Sequence, residues 1–146
     1  MTRIRRLPLG ALLAASLVAA CGTVPPTPEQ AAAMPSRPAD ELRYSNKWRI
    51  EVSEGANSDG EFVFRLTPKD GTAQVITVAV EDGTRENRVA QAIEGAFEEQ
   101  LDDGHYRVEV DDGEDVLVKK RLGAPRFALE VVSSTVRSVR IRLQRE

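Results

Sequence analysis

Cysteine is almost missing from this chain: Cys21 stands alone, and His105 and Trp48 are single as well. A lone cysteine closes no disulfide within the chain and builds no cysteine-based zinc site. A lone histidine excludes a multi-histidine metal site. An excess of positive charge is also missing. The sequence holds 20 Lys+Arg against 23 Asp+Glu, a formal net charge of −3, which argues against a general nucleic-acid binder. No nucleophile-elbow, phosphate-loop or zinc-protease spacing occurs. After position 20 no apolar run approaches the about 20 residues that a membrane-spanning helix needs. No cofactor is therefore expected. The 146 residues suffice for one domain and not comfortably for two.

What is present begins with an address. Met1–Arg6 carries Arg3, Arg5 and Arg6 and no acid, and Leu7–Ala20 is almost wholly apolar. A basic start followed by an apolar core too short to span a bilayer reads as a secretory signal peptide over 1–20. It ends on Val18-Ala19-Ala20-Cys21-Gly22. A branched apolar residue, two small residues and a cysteine resemble the lipobox of bacterial lipoproteins. The resemblance implies cleavage after Ala20, a diacylglycerol thioether on Cys21 and N-acylation there, with palmitate as the kind of chain added. Two or more acyl chains hold a protein firmly on a membrane, at about 0.8 kcal/mol per buried methylene. In Gram-negative lipoproteins an Asp after the cysteine is associated with inner-membrane retention. Gly22 at that place implies an outer-membrane lipoprotein of the bacterial envelope, facing the periplasm. The alternative is an ordinary signal peptide. Without 1–20 the chain keeps 17 basic and 23 acidic residues, net −6.

Gly22–Arg43 then holds Pro25, Pro26, Pro28, Pro35 and Pro38 and no aromatic residue. Prolines at this density favour extended backbone, so 21–43 reads as a tether from the lipidated cysteine, with a reach of roughly 60 Å. All seven aromatics follow it: Tyr44, Trp48, Phe62, Phe64, Phe97, Tyr106 and Phe127. A single domain over 44–146 is expected.

Asp-Gly punctuates that domain five times, at Gly60, Gly71, Gly83, Gly104 and Gly113. Both residue types tolerate the positive φ of tight turns. The steps are 11, 12, 21 and 9 residues. Within the long one, Val89, Ala92, Ile93, Ala96, Phe97 and Leu101 recur every three or four residues, an amphipathic helix over Glu86–Leu101 with Thr84 as N-cap. Elsewhere apolar residues alternate: Trp48, Ile50, Val52; Tyr106, Val108, Val110; Phe127, Leu129, Val131; Val139, Ile141, Leu143. Phe62–Phe64, Val75–Val80 and Val116–Val118 are continuous apolar runs, expected to be strands buried on both faces. The expected fold is α+β: one helix on a mostly antiparallel sheet of about six to seven strands, order βββαββββ.

Two charge patterns compete for function. Asp111, Asp112, Glu114 and Asp115 could hold calcium, which takes carboxylate oxygens. Their spacing departs from an EF-hand loop, and a solvated hairpin turn is the favoured reading. Lys119–Glu146 has eight bases and two acids, whereas Asp102–Asp115 has seven acids and one base. Arg137, Arg140 and Arg142 could face anionic lipid, lipopolysaccharide or an acidic partner. Cross-strand pairing with the acidic strands is favoured instead. His105 lacks an evident nucleophile, since Ser133, Ser134 and Thr135 read as a turn.

The run from Phe62–Leu66 through Val75–Val80, the helix, Tyr106–Val110, Val116–Val118 and Phe127–Val131 resembles small modules of flagellar hook-associated and phage-tail proteins. No activity follows from that pattern. The expected function is a non-enzymatic envelope lipoprotein presenting a binding or scaffold domain at the membrane surface. Its expected partners are the membrane, through the lipid, and a protein or envelope polymer, with no nucleic acid. Alternatives are an accessory subunit of an envelope secretion or assembly machine and a small carboxylate-dependent periplasmic hydrolase.

Overall fold

The computed structural model describes residues 37–146. The expected signal peptide over 1–20, Cys21 and the expected tether as far as residue 36 lie outside the described residues. The elements are β1 (Lys47–Ser53), β2 (Gly60–Pro68), β3 (Gln74–Val80), α1 (Glu86–Gln100), β4 (Tyr106–Asp111), β5 (Asp115–Lys120), β6 (Phe127–Ser134) and β7 (Arg140–Arg145). The class is α+β with antiparallel pairing throughout. One sheet was expected, and there are two: β4-β5-β1-β7 and β3-β2-β6. Alternation along a strand says which residues face inward. It does not say which strands share hydrogen bonds.

Between the sheets lies one core of Trp48, Ile50, Phe62, Phe64, Leu66, Ile76, Val78, Val116, Val118, Phe127 and their neighbours. Helix α1 adds Val89, Ala90, Ile93 and Phe97, with Ala92 and Ala96 partly buried beside them. Phe97 meets Phe64 edge to face, ring centres 5.2 Å apart, a favoured aromatic geometry. Tyr106 meets Phe127 in the same way at 5.3 Å.

Several local expectations are corrected. The N-cap is Arg85, which makes no side-chain cap bond. The first-turn acid Glu86 instead accepts from the Glu54 N–H, 2.9 Å away, fixing a residue whose φ is +70°. Strand β3 is half-buried and alternating, because it lies at a sheet edge with Ala79 exposed. In β6 the alternation fails: Ala128 is buried and Val131 is exposed. A register shift between Val63 and Phe64 leaves Val132 without a partner on β2. Ser133 and Ser134 lie inside that strand, opposite Val63 and Phe62, not in a turn.

Only two of the five Asp-Gly glycines, Gly83 and Gly113, take positive φ. Gly113, after Asp112 at φ +52°, turns the β4–β5 hairpin. Gly60 answers to crowding: a Cβ there would lie 2.8 Å from the Val136 nitrogen and 2.9 Å from the Thr135 carbonyl carbon.

Candidate functional site

The outer face of the four-stranded sheet is a lattice of paired charges. Arg49 sits on β1 between Leu117 of β5 and Gln144 of β7. Its guanidinium reaches Asp115 Oδ2 at 2.8 Å, Asp111 Oδ2 at 3.0 Å and Glu146 Oε1 at 2.6 Å. Hydrogen bonds to Asp115 and Glu146 raise its pKa above the ordinary arginine value. Glu146 also pairs with Lys47, and these two cations hold its carboxyl below its usual range, Lys47 contributing most. On β4, Glu109 pairs with Lys119 of β5 and with Arg107. Lys119 is the main cause of its lowered pKa.

This lattice reassigns the calcium candidates. Asp111 and Asp115 face each other across the β4–β5 ladder, and both carboxylates are engaged by Arg49. Asp112 and Glu114 are exposed at the turn. Among the described residues no group of three or more His, Cys, Asp or Glu side chains is placed to hold a metal ion.

Arg140 and Arg142 are also paired, but not with the acidic stretch expected. Arg140 bonds Glu54, and Arg142 lies 3.9 Å from Glu51. Strand order explains the change of partner: β7 borders β1, while β4 lies at the far edge of the sheet. Arg137 stands apart from them in the β6–β7 turn, where its N–H donates to Ser58 Oγ at 3.1 Å.

His105 Nδ1 lies 2.8 Å from Asp102 Oδ2, and both side chains are largely exposed. Ser133 and Ser134 belong to the other sheet, so the structure builds no Ser–His relay from them. Burial, helped by the charge of Asp102, raises the pKa of Tyr106. The two shifted carboxyls, Glu109 and Glu146, both move down. A carboxyl acting as a general acid needs the opposite shift.

The two seams between the sheets differ. One is closed by α1, which lies against the edge strands β3 and β4. Gln100 bridges the β3 edge: its Oε1 accepts from the Thr77 N–H at 3.1 Å, and its Nε2 donates to the Thr77 carbonyl at 3.0 Å. Glu94 Oε1 accepts from the Val110 N–H of β4 at 3.0 Å. The other seam lies between β6 and β7, which share no ladder.

That second seam opens as a slot of about 370 Å³. Its apolar lining is Trp48, Ala128, Leu129, Val131, Leu143 and Leu42. Arg37, Arg43 and Arg145 stand around it with Glu130. One rung seals its end: Ser45 and Phe127 exchange both backbone hydrogen bonds, at 2.9 and 3.0 Å. The Trp48 indole N–H adds a third bond to the Phe127 carbonyl, 3.0 Å. Upstream of Ser45 the chain turns at 38–41, where the Glu41 N–H donates to the Pro38 carbonyl. Arg37 lies 3.6 Å from Glu130 Oε1.

Sequence reasoning missed both Arg49 and this slot. Alternation with Trp48 and Ile50 places Arg49 on the outer face, but its partners come from three other places in the chain. The slot has no sequence signature, because it is a gap between consecutive strands that pair with other strands in different sheets. No protein-family model matches the chain, and no curated protein matches it in sequence.

Proposed function

We propose that this is a non-enzymatic lipoprotein of the bacterial envelope, anchored through Cys21 and displaying a domain that binds a partner through the β6–β7 slot. The observation that carries the binding role is that slot: an opening between two sheet edges lined by six apolar residues, three arginines and Glu130. It lies where residues 37–43 lead into the domain, so a partner held there would sit beside the tether. The lattice around Arg49 supports a non-catalytic reading, because its carboxylates are neutralised within the fold. Among the described residues no helix is long and apolar enough to cross a membrane, and the proposed attachment is the lipid on Cys21. Gly22 supports placement in the outer membrane, facing the periplasm.

Cell fractionation of a Cys21→Ser variant tests the anchor. The expected result is a protein that leaves the membrane fraction. A processed, mature protein that stays in the membrane without Cys21 overturns the lipoprotein reading.

A further inference from the structure

We propose that the free edge of β6 takes up an extended, acidic segment of a partner protein as an added strand; this rests on the binding role proposed above and names its site and partner chemistry. The backbone supplies the first argument. Phe127 exchanges both of its hydrogen bonds with Ser45, so its N–H and C=O point away from β2. Opposite it on β2 stands Pro68, which has no N–H to offer. Backbone groups alternate sides along a strand. Leu129 and Val131, in continuous register with Leu66 and Phe64, therefore present their N–H and C=O on the same free edge as Phe127. Both residues line the slot. The ladder from Ser45 continues no further: the chain turns at 38–41 without another backbone hydrogen bond to β6, and Leu42 and Arg43 only line the slot from their side of the opening.

An edge with free donors and acceptors is a template for another strand. This one has not been blunted as the other seam has. Val131 is 36% exposed, one of two large hydrophobic residues exposed among those described. Pairing there supplies affinity through the main chain, and alternate side chains of the incoming strand would enter the slot over Trp48, Leu129 and Leu143.

Charge names the occupant. Arg37 is held near Glu130. Arg43 and Arg145 line the same slot, and neither has an ion-pair partner among the described residues. On the same four-stranded sheet Lys47, Arg49, Lys119, Arg140 and Arg142 are matched by acids, while the Lys120 side chain bonds only the Arg121 carbonyl among the described residues. Two unmatched guanidinium groups beside an open strand edge complement carboxylates on an extended peptide.

The test uses the full mature chain in detergent micelles and two synthetic heptapeptides. Both alternate valine and threonine; one carries aspartate at each end and its twin carries lysine. Amide hydrogen exchange at Leu129 and Val131 is the readout, with Thr77 and Val110 as closed-edge controls. The expected result is slowed exchange at Leu129 and Val131 with the acidic peptide alone, at least about tenfold tighter than its twin. The double variant Arg43→Glu, Arg145→Glu is expected to invert that preference while leaving the melting transition in place. Equal response to both peptides, or to neither, overturns the proposal. So does protection without peptide: if it grows with protein concentration, a second copy is the occupant. If it is independent of concentration and is lost on deleting residues 22–36, the chain's own upstream segment is the occupant. Failure here leaves the anchor untouched, since fractionation of Cys21→Ser reads that separately.

Discussion

The two seams of this sandwich solve the same problem in opposite ways. Each lies where an edge strand of one sheet comes near an edge strand of the other. At the β3–β4 seam, a helix with an apolar stripe covers the gap, and two of its polar side chains occupy edge groups. Gln100 satisfies both backbone groups of Thr77, and Glu94 satisfies the Val110 N–H. At the β6–β7 seam a single rung, Ser45 to Phe127, closes one end, and the rest is a slot lined by apolar residues, three arginines and Glu130. Open edges invite unwanted pairing, and proteins ordinarily cover or blunt them. The closed seam shows that this fold has the means to do so. The contrast makes the open seam the place to look for a partner.

The largest expected effect comes from removing the helix keystone. Phe97 is fully buried and packs its ring on Phe64. Phe97→Ala should cost about 3–5 kcal/mol in urea melts, from lost transfer energy and the cavity left behind. The neighbouring Glu98 is exposed, and Glu98→Ala should change stability by less than about 0.5 kcal/mol. Comparable losses for the two would mean that α1 does not hold the closed seam through this face.

A middle-sized effect belongs to the charge lattice, which borders both seams through β4 and β7. Arg49→Leu should cost about 1.5–3 kcal/mol at neutral pH, since it strips charged hydrogen bonds from three carboxylates at once. The sign of the pH effect follows from the direction of the shifts. Glu109 and Glu146 have lowered pKa values in the folded protein. Their contribution is therefore fully present above the unfolded carboxylate range and is lost as the pH falls through the folded values. Urea melts from neutral to strongly acid pH should show wild-type stability falling over that interval. The slope should be shallower in Arg49→Leu, in which Glu146 keeps only Lys47. An identical slope would show that the Arg49–Glu146 contact is not made in solution.

The smallest effect should be the most specific. Gln100→Ala removes a double bridge that is exposed on the surface, so its stability cost should be about 1 kcal/mol. Amide exchange at Thr77 should accelerate while Val110, held by Glu94, keeps its rate. The variant would convert part of the closed seam into an open edge. If Thr77 exchange is unchanged, the helix covers that edge by packing alone.

Much of the architecture was legible along the chain because it depends on local periodicity. The stripe from Val89 to Phe97 specified a helix and its buried face, and structure and pattern agree at Val89, Ile93 and Phe97. The alternation of Trp48, Ile50 and Val52 specified the inward side of β1. Where neighbours decide, the reading failed. Val75–Val80 looked doubly buried, yet β3 is an edge strand whose outer residues are only partly covered or exposed. Ser133 and Ser134 looked like a turn, yet they continue β6 past the register shift. Arg140 and Arg142 were assigned to the wrong acids, since like-looking acidic segments differ only in where the sheet order puts them.

The sequence by itself determined the periods, the inward faces, the aromatic residues available to the core and the supply of charges of each sign. Those properties follow from residue type and spacing, which fix helix and strand faces without reference to the rest of the molecule. Only the tertiary structure decided that there are two sheets, that Arg49 gathers Asp111 and Asp115, and that one seam is closed while the other stands open. The physical reason is the same in each case. Hydrogen-bond partners across strands, charge partners across a sheet face and the gap between two edges are relations between separate elements, set by which strands pair, and local pattern carries no term for them.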